Sequence, residues 1–183
     1  MSTLHVENLK GLSSGSNANK IVVPSGQTID ASAGTLVPSA NQSVKTSVSR
    51  SQSAMAVSSS TSYVDVMTSN ITPSFNNSIL LISGVVSGVS YEDSSNGYRG
   101  STWRYLITPS GGTAVDDFIN YYQFHFPAGS YWGGMIPFTF YYQVSSTASH
   151  EVKIQAFARS GSNNVFRNRN GEISSLIIQE IKQ

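Results

Sequence analysis

From about residue 50 to the C-terminus the apolar residues recur at every second position, and that period constrains the fold more than any other feature. In MIPFTFYYQV, Ile136, Phe138, Phe140, Tyr142 and Val144 fall on one side. Trp103, Tyr105 and Ile107 share a face of STWRYLIT, with Thr102, Arg104 and Thr108 opposite. Phe118, Tyr122, Phe124 and Phe126 line up in FINYYQFHF, as do Val152, Ile154, Ala156 and Ala158 in EVKIQAFA. Side chains alternate between the two faces of a strand, so this is the signature of half-buried strands. The closing ISSLIIQEIK has Ile173, Ile177 and Ile181 on one side and Leu176 and Ile178 on the other, as a central strand would. SILLISGVV (78–86) has the same two-sided character. No stretch joins helical spacing to capping residues; TAVDDFI is the nearest and is short.

The runs are separated by turn chemistry. SSNG (94–97), PSGG (109–112), PAGS (127–130), SGSNN (160–164) and NRNG (168–171) supply Gly or Asn for positive φ, or Pro to preset φ. Asn170-Gly171 is the strongest hairpin signal, and Glu92 to Gly97 is expected to be a hairpin tip. The expectation is an all-β chain whose residues 46–183 form an antiparallel jelly-roll β-sandwich.

Residues 1–45 differ. In NKIVVPSGQTIDASAGTLVPSANQ (19–42) the apolar triplets are short, and Ser, Gly, Pro and Ala fill the gaps. Such side chains are too small to make a core alone. The segment gains order only against another surface or another chain, where its backbone groups can pair. It is expected to be an extended anchor, meeting the sandwich near VKTSVSRSQS (44–53).

Composition excludes several functions. Charged residues make up 11%, under half the roughly 25% of an ordinary domain, and net charge is only +1. Neither an electrostatic grip on nucleic acid nor a polybasic membrane contact is expected. Aromatics reach 10%, so the low charge does not read as disorder. With 0 Cys there is no thiolate chemistry. MSTLHVENLK lacks the layout of a secretory signal, and Ile79 to Val89 is too broken to insert in a membrane.

No cofactor, metal or catalytic set is expected. His5, His125 and His150 have no partners at ligand spacing; His150 is expected in a turn beside Glu151, at the surface or hydrogen-bonded. Asp116-Asp117 would face opposite ways on a strand, so a solvated loop is expected there. Glu92 to Gly97 misses the register of a calcium loop, and no G-x-S-x-G nucleophile motif occurs. Tyr98, Tyr121, Tyr131 and Trp132 are candidates for a glycan or receptor contact, because ring faces pack on sugars. Trp103 is assigned to the core, and PAGSYWGG is expected to be an exposed loop.

The opening MSTLHVENLKGLSSGSNANKIVVPSGQTIDASAGTL resembles the N-terminal segment of small virion proteins of tailed bacteriophages, marine and cyanobacterial ones especially. STSYVDV (61–67), NSILLISGVVSG (77–88) and SSLIIQEI (174–181) are similar to the sandwich heads of phage fibre proteins, which resemble tumour-necrosis-factor and C1q jelly rolls. The resemblance implies a homotrimeric, non-enzymatic virion appendage. Its anchor would dock to capsid, neck or tail proteins through Leu4, Val6, Leu9, Ile21, Val22, Val23, Ile29 and Leu36. Its head would face the host surface. A departure is that no long shaft separates anchor from head, which leaves short fibre, head decoration and tail adaptor all open. Two other classes compete: a carbohydrate-binding module, and an enzyme such as a depolymerase or lyase, for which no acid/base constellation speaks.

Overall fold

The structure is a computed structural model, and it describes residues 40–57, 62–92, 97–126, 131–159, 165–167 and 171–183 together with Ser14 and Ser25. The chain divides into two units, Met1–Val37 and Pro38–Gln183. The proposed docking residues Leu4, Val6, Leu9, Ile21, Val22, Val23, Ile29 and Leu36 all lie outside the described residues.

The described part of the second unit is all strand and turn: β1 (Ser43–Ser51), β2 (Met55–Val57), β3 (Val64–Ile71), β4 (Ile79–Glu92), β5 (Gly97–Pro109), β6 (Val115–Phe126), β7 (Tyr131–Gln143), β8 (His150–Arg159), β9 (Val165–Arg167) and β10 (Ser174–Ile181). All pairings are antiparallel, in two sheets. β7 and β10 both pair with Ile79 to Val85, so they occupy opposite edges of β4. Ser90 of β4 pairs with both β9 and β7, so β9 follows β10 along the same edge. β1 flanks β10, and β2 flanks β9. The first sheet therefore has four ranks, β1/β2, β10/β9, β4 and β7, and the second runs β3, β8, β5, β6. The chain switches sheets at six of the nine connections between described strands, as in a jelly roll.

Alternation explains the core. β4 turns Leu80, Ile82 and Val86 inward, β10 turns Leu176 and Ile178, and β7 turns Ile136 and Phe138. They meet Trp103 and Ile107 of β5 and Val152, Ile154, Ala156 and Ala158 of β8. Each fully buried large side chain contributes roughly 1.5–3 kcal/mol. The Trp103 indole N–H would be stranded in such a core; it donates to Ser101 Oγ at 2.6 Å. Two irregularities break the period usefully. A register shift in β3 lets Val66 and Met67 both be buried, and one in β4, where Gly88 has φ 63°, does the same for Val86 and Val89.

Several turn expectations need correction. PSGG does close the β5–β6 hairpin: Gly112 N donates to Pro109 O at 2.9 Å and Gly111 has φ 74°. Glu92 to Gly97 is not a hairpin tip, because β4 and β5 belong to different sheets. Asn170-Gly171 is not one either: β9 and β10 are unpaired and follow each other along one edge of β4. TAVDDFI and the Asp116-Asp117 pair lie on the start of β6 rather than in a loop, although both carboxylates are exposed as expected. The stretch where the two compositions meet, 44–53, is largely β1, an edge strand of the sandwich.

Candidate functional site

The two sheets present outer sides that differ in formal charge. On the first sheet, cross-strand registers line up Thr46, Gln179, Leu81 and Tyr141 in one row and Val48, Ile177, Ser83 and Thr139 in the next. A third row holds Arg50, Ser175, Val85 and Pro137. Ile79 and Ile181 pair at one end. Of these, Tyr141 is 72% exposed and Val48 51%. Ile79, Leu81, Val85, Ile177 and Ile181 are only half-buried. Each row is mixed: Leu81 and Tyr141 stand beside Thr46 and Gln179, Val48 and Ile177 beside Ser83 and Thr139, and Val85 and Pro137 beside Ser175 and Arg50, which is the one formal charge in these rows.

The second sheet's outer side is instead a closed polar network. Gln155 Nε2 donates to Asp65 Oδ1 at 2.6 Å, and Arg104 Nε donates to Gln155 Oε1 at 2.8 Å. Arg104 Nη1 donates to Asp116 Oδ2 at 2.6 Å, so this row crosses all four strands of the sheet. Lys153 Nζ bridges Asp65 at 2.9 Å and Glu151 at 3.2 Å. The Arg104 guanidinium lies 3.9 Å from the Tyr63 ring centroid, and Tyr63 packs edge-on against Phe157. Burial pushes the Asp65 carboxyl up, but hydrogen bonds from Gln155 and Lys153 and the charges of Lys153 and Arg104 outweigh it and hold the group below its usual range. Hydrogen bonds to Asp65 and Glu151 push the Lys153 ammonium up.

Two buried polar residues escaped the sequence reading. Glu180 is fully buried, yet its carboxylate accepts from Ser74 N at 2.8 Å and Phe75 N at 2.9 Å. Ser78 Oγ stands 3.0 Å from Glu180 Oε1 and 2.9 Å from Phe75 O, and its single proton serves one of them at a time. This carboxylate anchors the corner where the chain passes from β3 to β4. His150 is hydrogen-bonded, one of the two expected alternatives, but it is neither at the surface nor in a turn: it opens β8, fully buried, with Nδ1 2.7 Å from Ala148 O and its ring edge-on to Tyr142. Its Nε2 has no partner. Glu180 reads locally as the polar position of an alternating strand, so no sequence signal marked it.

The aromatic candidates divide between the sheets. Tyr98 of β5 is opposite His125, and Tyr121 of β6 is opposite Thr102. Tyr131 and Trp132 are paired with Glu92 and Tyr91 at the start of β7, so they belong to a strand and not to the exposed loop expected for PAGSYWGG. Among the described residues no group of three or more His, Cys, Asp or Glu could hold a metal, and no helix is long and apolar enough to cross a membrane.

No family model and no curated protein matches the sequence. Solved structures that resemble it include the infectious bursal disease virus VP2 subviral particle, at 12% identity and TM-score 0.48, covering 76% of this chain and 34% of that one. The infectious bursal disease virus particle gives 12% identity and TM-score 0.44, covering 87% and 40%. The enzymatically active domain of bacteriophage CBA120 tailspike protein 4 gives 10% identity and TM-score 0.35, covering 76% and 18%. The chain thus spans well under half the length of these viral proteins, and with every TM-score below 0.5 the likeness carries no role over to this chain.

Proposed function

We propose that the chain is a non-enzymatic structural protein of a tailed-phage virion. It is a short homotrimeric tail or head fibre, docked to the particle by its N-terminal segment, with the jelly-roll head turned to the host surface. The observation that carries this reading is the first sheet's outer side, where Ile79, Leu81, Val85, Ile177 and Ile181 remain half-buried in a single copy. Subunit packing removes such area from water. The resemblance of MSTLHVENLKGLSSGSNANKIVVPSGQTID to virion anchors supplies the setting, and a decoration or tail-adaptor role without a receptor fits the same features. Light scattering after gel filtration should give three times the chain mass at micromolar concentration, and a clean monomer would count heavily against the proposal. Immunolabelling of intact particles then tests placement.

A carbohydrate-binding role is the second reading, favoured by Tyr98 and Tyr121 on the adjacent strands β5 and β6 and by Tyr131 and Trp132 opening β7. On that reading Trp132→Ala abolishes a glycan-array signal and leaves the melting curve unchanged. Incubating purified protein with host polysaccharide checks the non-enzymatic assignment: release of oligosaccharide would refute it.

A further inference from the structure

Resting on the carbohydrate-binding reading above, we propose that the outer side of the second sheet, around Gly100, is a notch for a sugar that bears an anionic group. Trp103 of β5 is turned into the core, so Thr102 and Gly100 fall on the outer side of that strand. β5 is an inner strand, flanked by β8 and β6. Cross-strand registers place Arg159, Gly100 and Gln123 in one outer row and Phe157, Thr102 and Tyr121 in the next. On the other side of Gly100, Tyr98 pairs with His125.

Two independent observations mark the place. The row through Gly100 has no side chain at its centre. A glycine inside a strand weakens it, and often stands where a ligand comes close to the backbone. Beside it, Thr102 is only 7% exposed and its Oγ1 has no hydrogen-bond partner. A buried hydroxyl is ordinarily paired, and a sugar hydroxyl seated over Gly100 is the partner this arrangement lacks.

The neighbouring positions set the class of ligand. Tyr98, Tyr121 and Phe157 stand around the glycine in register, and the Tyr63 ring packs edge-on against Phe157 at 4.8 Å. Aromatic positions with a few convergent polar ones suit a sugar ring. Across Gly97 to Trp103, Phe118 to Phe126 and Ile154 to Arg159 the formal charges are Arg99 and Arg159, with no Asp or Glu. The sheet's carboxylates, Asp65, Asp116, Asp117 and Glu151, all stand in the Arg104 row or beyond it, away from Gly100. A cationic stretch without carboxylates favours a uronic acid or a sugar phosphate, which share this chemistry. Residues 127–130 join Phe126 of β6 to Tyr131 of β7, so a ligand of several sugars runs from the notch toward Trp132. The notch belongs to the other sheet from Ile79, Leu81, Val85, Ile177 and Ile181, and subunit packing through those residues does not use it.

The test screens the full chain on an array of oligogalacturonates, phosphorylated mannan oligosaccharides and the neutral counterparts of both, then measures affinities by calorimetry. The charged sugars should bind about tenfold or more tightly than the neutral ones, and the gap should close in high salt. Which charged sugar binds tells a carboxylate source from a phosphate one. Arg159→Gln should remove the preference, and Gly100→Val should abolish binding by filling the notch. Thr102→Val should weaken binding about fivefold or more without lowering the melting temperature, because its hydroxyl has no partner to lose. Equal binding of neutral sugars, or affinities indifferent to Arg159→Gln and Thr102→Val, overturns the notch and leaves the carbohydrate-binding reading standing. An array with no signal overturns both. Circular dichroism melts check folding, and if Gly100→Val unfolds, Arg159→Gln and Thr102→Val decide.

Discussion

At the residue scale, Gly84 shows how tightly the sandwich is built. It lies on the inward side of β4, where a Cβ would run into Ser175 O and come within 2.8 Å of the Phe138 ring. The first of these is backbone and cannot swing away. Gly84→Ala should therefore force β4 and β10 apart and cost about 1–3 kcal/mol, read as a lower urea midpoint at unchanged slope. Asp65 gives a pH expectation. Its folded-state pKa is lowered from 3.8, so its contribution is present above that value and is lost as pH falls through the folded value. Lys153 and Tyr105 are raised from 10.5 and 10.0, so theirs are present below those values and fade as pH rises past them. Stability should thus be flat through neutrality and fall at both extremes. Asp65→Asn should flatten part of the acid limb below about pH 4, and thermal melts across pH check it.

At the scale of elements, the corner 72–78 depends on a residue at the far end of the chain. Ser74 N and Phe75 N point at the Glu180 carboxylate, and Asn77 holds φ 65° while its N–H donates to Val144 O. Glu180→Ala removes the acceptor of the part-buried Ser74 N and Phe75 N and one partner of the buried Ser78 hydroxyl, and should cost about 1–3 kcal/mol. Faster amide exchange confined to 72–78 and the adjoining ends of β4 and β10 would locate the damage. The expected faces held where they can be followed: Trp103, Ile107, Ile136, Val144, Val152 and Ile154 are all fully buried. The connections did not all hold. SSNG and NRNG carry turn glycines as PSGG does, with Asn besides, yet of the three only PSGG returns the chain to a neighbouring strand of its own sheet. Turn residues permit a reversal of direction; they do not say which strand waits on the other side.

At the scale of the molecule, the surface is divided by charge. The second sheet pairs its ionic groups among themselves, through Asp65, Lys153, Glu151, Arg104 and Asp116, while the first leaves Ile79, Leu81, Val85, Ile177 and Ile181 half-buried among uncharged polar neighbours. If copies associate through that uncovered area, folding is coupled to association. The melting temperature should then rise with protein concentration, by several degrees over a hundredfold range, and a concentration-independent transition would speak for a self-sufficient monomer.

The sequence by itself determined the all-β class, the inward faces of the long strands and the two-sided apolar character of β4 and β10. These are local properties, written in a period of two residues. Only the tertiary structure decided the order of ranks, the crossing of the chain between sheets and the burial of Glu180 and His150. Each of those rests on partners far away along the chain: Ser74 lies 106 positions from Glu180, and no local pattern reports which distant backbone will arrive to accept or donate its hydrogen bonds.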